Sequence, residues 1–242
     1  MLMKTVLNGS NHSGETNRHF RWTEQLVELS VFLFLIVPSM ALSFFAVKQG
    51  SLSFVLVAIA TILRDLALVS LIVFFLWRNG EPTDGIGWTF RNVRLDIALA
   101  IGVFILLFLG SSLLESALKA AGLSTPSTPL PSFLAGKGAA EFVLASFMIV
   151  VVAFAEETIF RGYLILRFKA VTGSLPAAIL LSAVVFSLGH GYEGSAGVIT
   201  VGVMGLLFAL VYVWRQSLVA PMAMHFLQDF ISIVLVPMLG MK

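Results

Sequence analysis

Along the chain, long apolar stretches alternate with short polar breaks. Seven apolar segments stand out, at 26–47, 52–77, 95–118, 139–168, 175–189, 196–214 and 218–239. Most approach the ~20 residues that carry a helix across a bilayer. None shows the period-two alternation of a barrel strand. Helices are therefore expected throughout, because backbone groups in lipid must be satisfied within their own segment. The fifth segment is short and suits a half-buried helix. The second contains Arg64 and Asp65, which leaves a break between two half-spans open there. The longest breaks are 78–94 and 122–138, the latter rich in Pro, Ser, Thr and Gly and read as a loop.

The pattern divides the chain into a polar N-terminal tail (1–25), N-terminal transmembrane helices (26–121), the loop (122–138) and a C-terminal transmembrane region (139–242). The tail lacks an apolar core of its own, so the first span is expected to act as an uncleaved anchor. Composition agrees. Of 242 residues, 58% are hydrophobic and 12% charged, too apolar for a soluble or disordered chain. The absence of cysteine excludes disulfides, thiolate chemistry and Cys-ligated metal centres.

A net charge of +2 reads as membrane topology, not as a nucleic-acid partner. With the N-terminus inside, nine Lys and Arg fall in inner regions, four in outer ones, and Arg64 and Arg161 within spans. The expected fold is an all-α polytopic transmembrane bundle of about seven spans with a cytoplasmic N-terminus.

Ionisable residues inside spans are costly and need a reason. The fourth segment carries Glu156, Glu157 and Arg161, the fifth ends on Phe186 and His190, and the seventh holds His225 and Asp229. Glu157 and Arg161 share a helix face at i, i+4 and are expected to pair, as are His225 and Asp229. Glu156 points about 100° away from Glu157 and has no local cation, which suits a carboxylate that must take a proton from water. Phe186, one turn before His190, is placed to shield it. Pro221 is expected to kink the last helix and free the carbonyl of Ser217.

At ~1.5 Å per residue, Glu156 lies ~20 Å from an inner helix end at Lys169, and His190 lies ~24 Å from one at Ser174. His225 and Asp229 lie ~12 and ~18 Å from Ser217. Three helices thus bring polar groups to a similar depth. Other polar positions read as structural. Arg64 and Asp65 are adjacent, do not share a face, and are expected to pair with other spans or mark a short loop. Glu28 and Glu115 are expected to reach headgroups, and Glu141 to suit a helix N-terminus. Gly202, Gly205 and Ala209 form a stripe for close helix packing.

These motifs resemble, in content and order, the CPBP family of membrane proteases, which includes the type II CAAX prenyl endopeptidases and the bacterial Abi proteins. The family pattern EExxxR, FxxxH and HxxxN/D is met by Glu156-Glu157 with Arg161, Phe186 with His190, and His225 with Asp229. The first three spans carry no motif of the family. The resemblance implies an intramembrane endopeptidase acting on a membrane-associated or prenylated substrate. Glu156 would activate water, sharing it with His190. His225 and Asp229 would hold the scissile carbonyl and its oxyanion, and Glu157 and Arg161 would orient the site.

Asp229 stands where Asn would be a donor; an ionised Asp only accepts, so its expected role is to orient His225. Family members have been described as metalloproteases and as metal-free glutamate proteases. Two histidines and a carboxylate match a His₂Glu zinc set, but HExxH is absent, and the reading favours no required metal. The expected location is a bacterial plasma membrane, with roles such as bacteriocin immunity open. A non-catalytic membrane scaffold and a proton-coupled transporter are the competing classes. No GxSG serine motif or GxGD aspartyl motif is present.

Overall fold

The computed structural model describes residues 22–41, 53–125 and 138–239, and these are helical with no strand among them. Seven helices follow in order: α1 Trp22–Ala41, α2 Phe54–Asn79, α3 Val93–Ala120, α4 Ala139–Thr172, α5 Leu175–Leu188, α6 Gly194–Arg215 and α7 Val219–Met238. All but α5 are long and apolar enough to cross a membrane. At 14 residues α5 is the short helix its segment implied. The end of the first apolar segment and most of the 122–138 loop lie outside the described residues.

The residues of α1 that precede the apolar run are pinned to α4. Trp22 Nε1 donates to the Val171 carbonyl at 3.1 Å, and Gln25 accepts from Arg167 at 2.8 Å. Helix α7 begins at Val219, so Pro221 sits in its first turn. A missing N–H costs nothing there.

Helix α4 is the centre. Half of its most apolar stretch is buried, against 11% for α3. It packs against α2, α5 and α7, while α3 covers α6 and α7. Its middle is π-helical from Thr158 to Leu164, and α7 has a second π segment from Phe230 to Leu235. The α2–α3 connection seats on the first of these. A side chain at Gly162 would place its Cβ 2.7 Å from the Ile86 carbonyl oxygen, and Trp88 Nε1 donates to Thr158 Oγ1 at 3.1 Å. The backbone N–H of Leu218 donates to the Gly87 carbonyl, joining the start of α7 to the same loop.

Ion pairs gather the helix ends at one face. Arg167 binds Glu81 at 2.6 Å and Glu28 at 3.2 Å, and Glu28 also pairs with Arg78. Arg215 of α6 meets Asp96 of α3 at 2.7 Å. Glu28 is thus not a headgroup ligand: it is 2% exposed and ties α1 to α2 and α4. At the opposite face Ser124, just beyond α3, is bonded to Ser195 at the start of α6.

Candidate active site

The i, i+4 spacing of Glu157 and Arg161 forms the expected ion pair, Nη1 to Oε1 at 3.1 Å, with both side chains essentially excluded from solvent. The same Glu157 oxygen lies 2.8 Å from Nδ1 of His225 on α7. That contact joins the first motif to the third. The other imidazole nitrogen, Nε2, lies 3.4 Å from Asp229 Oδ2 and 3.8 Å from Glu156 Oε2. One buried ring therefore stands among three carboxylates from two helices. A carboxylate only accepts, so the ring's N–H groups are the donors.

The charged groups are walled by aromatic rings. The Arg161 guanidinium stacks 4.1 Å from the Phe186 ring centroid and 5.4 Å from that of Phe208. Phe186 and Phe208 also lie 6.1 and 6.2 Å from the His225 ring. Close packing of the Phe186–Arg161 stack requires Gly205: a Cβ there would come within 2.9 Å of the Phe186 ring and 3.2 Å of Arg161. Gly205 also gives its carbonyl to Arg161 Nη2 at 3.3 Å. Gly202 faces Ser187 at contact distance, as the small-residue stripe implied.

His190 lies not within α5 but in the turn after it. Its ring packs 4.8 Å from that of Phe186, and its Nδ1 lies 3.1 Å from the Phe186 carbonyl. That carbonyl accepts a hydrogen bond from Nδ1–H, leaving Nε2 as the nitrogen without this partner. Phe186 is both the shield foreseen for His190 and the spacer between it and Arg161.

Glu156, His190, His225 and Asp229 all line one cavity of about 580 Å³. Glu157 and Arg161 stand behind its wall. The volume suits a small or extended ligand. Its walls are largely apolar, with residues such as Met148, Ile149, Val152 and Phe208.

Two further residues line this cavity that helical spacing had set aside, Arg64 and Asp65 of α2. The helix runs unbroken through them, so they do not mark a loop. Nor do they seek other spans: the Arg64 side chain folds back on its neighbour, with Nε and Nη2 each 2.9 Å from Asp65 Oδ1. The signal that would have found them is the cost of two ionisable groups in mid-span. Glu115 likewise lines the cavity. Glu141 does lie in the first turn of α4.

Among the described residues no three His, Asp or Glu side chains converge as ligands.

Residues 138–231 match the family model described as type II CAAX prenyl endopeptidase Rce1-like. The match contains all seven motif residues and bears out the resemblance over that region. It implies a membrane protease and leaves α1–α3 outside it. No curated relative and no solved structure matches the chain.

Proposed function

We propose that this Rce1-like region is the catalytic part of an intramembrane endopeptidase that hydrolyses a peptide bond of a prenylated or otherwise membrane-associated substrate. The supporting observation is the meeting of Glu156, His225 and Asp229 at the wall of a cavity inside a bundle of membrane-length helices.

Glu156, the partly open carboxylate of the group, takes a proton from water as the water attacks the scissile carbonyl. His190 Nε2 shares that water. In its doubly protonated form His225 donates Nδ1–H to Glu157 and Nε2–H to the developing oxyanion. Asp229 holds the ring from the cavity side, and Glu157, fixed by Arg161, holds it from behind. The proton taken by Glu156 then passes to the leaving amine. No metal is required by this sequence of steps. Stoichiometric zinc in active protein, with activity lost on its removal, would overturn that part.

The test compares peptide termini in membranes carrying the wild type with those carrying Glu156→Gln at equal expression. Termini present only with the wild type are expected, and they identify the substrate. Identical termini, with any phenotype rescued equally by both proteins, would favour a non-catalytic scaffold.

A further inference from the structure

Arg64 and Asp65 are unused by this mechanism, yet they face the same cavity. Asp65 is 1% exposed and Arg64 42%. Both contacts from Arg64 go to one oxygen of Asp65, through Nε and Nη2. A guanidinium carries five N–H groups, so Asp65 grips one edge and leaves the Nη1 side uncommitted to it.

Charge around the cavity sharpens the point. Arg64 is the one Lys or Arg among the described residues lining it, whereas Asp65, Glu115, Glu156, Glu193 and Asp229 all contribute carboxyl groups. Any anionic ligand group in this cavity therefore has one guanidinium to meet. Arg64 and Glu156 line the same cavity.

We infer that Arg64 is the receptor for the C-terminal carboxylate of a peptide substrate and that Asp65 is the positioning residue that aims it. The inference rests on the proposed protease reading. A CAAX-type signal is C-terminal, with the prenyl group on its cysteine. Cleavage beside that cysteine leaves three residues, which span about 10 Å when extended. Such a terminus stays inside the cavity. There a carboxylate needs a charged, hydrogen-bonded partner, and a guanidinium offers it two parallel N–H groups.

The experiment uses Glu156→Gln protein in phosphatidylcholine nanodiscs and two probes, a farnesylated CAAX tetrapeptide as the free acid and as the C-terminal amide. Binding of the acid is expected to be about tenfold tighter than that of the amide. Adding Arg64→Gln should bring the two affinities together, and Arg64→Lys should keep part of the difference. The combination Arg64→Gln with Asp65→Asn should also equalise them, without leaving a bare buried carboxylate to compromise folding. Equal affinities before Arg64 is changed, binding of neither peptide, or a preference that survives in both Gln variants overturns the inference. So does an Arg64-dependent response to added phosphatidylglycerol without an acid–amide difference, which would assign the cation to a lipid headgroup. Wild-type protein incubated with the same acid reports tripeptide release. If no tripeptide appears while the Arg64-dependent preference stands, the catalytic reading fails and this one survives.

Discussion

His225 touches carboxylates from two helices, and its two nitrogens do different work. Nδ1 is committed to Glu157 at 2.8 Å. Nε2 faces Asp229 and Glu156 at longer range, which leaves it available to a substrate oxygen. Asp229 at 3.4 Å orients and does not grip. Asp229→Asn is therefore expected to keep activity within about tenfold of wild type, because an amide at that position still orients the ring. His225→Ala removes the donor and is expected to cost about 10²-fold or more in kcat. Peptide-release rates of the purified variants would decide. Equal losses in the two would mean that Asp229 does more than orient.

The elements that hold these residues are irregular where they matter. Both π segments begin immediately after a site residue, at Thr158 behind Glu157 and at Phe230 behind Asp229. Single π turns inside α-helices recur at functional sites because they change which face the following residues present. The first segment is clamped by the α2–α3 loop, whose backbone approaches so closely that only Gly162 fits. Gly162→Ala drives a Cβ to 2.7 Å from a backbone oxygen and is expected to destabilise the fold by about 1–3 kcal/mol. Gly102→Ala on α3 meets nothing within 4 Å and is expected to be neutral or slightly stabilising. Thermal unfolding in detergent micelles compares the two. Similar midpoints would show that the loop yields.

Across the whole molecule, ion pairs join the N-terminal end of α1 to the C-terminal ends of α2 and α4, and the start of α3 to the end of α6. Of the cations expected on the inner side, Arg78, Arg167 and Arg215 thus lie at the face that carries these pairs, and Ser124 and Ser195 lie at the other. The chain has no cysteine, so single substitutions report sidedness without background. With the N-terminus inside, Asp84→Cys is expected to resist a membrane-impermeant maleimide in intact cells, and Ala121→Cys to react. The reverse pattern would invert the orientation.

Hydrophobic period and length were enough to determine the helices, because a bilayer admits few other spanning structures. The three motifs and the Glu157–Arg161 pair were also legible, since i, i+4 neighbours meet on any helix. Contacts between helices were not. That His225 binds Glu157, 68 positions away, depends on how α7 packs on α4, and no local spacing encodes it. Arg64 and Asp65 read as bystanders because helix geometry separates adjacent side chains. A long flexible side chain overrides that rule, and only packing of α2 on α4 brings the pair to the cavity. Glu28 was misjudged for a related reason: a carboxylate near a helix end can meet water or a neighbour's guanidinium, and tertiary structure supplies two guanidinium groups.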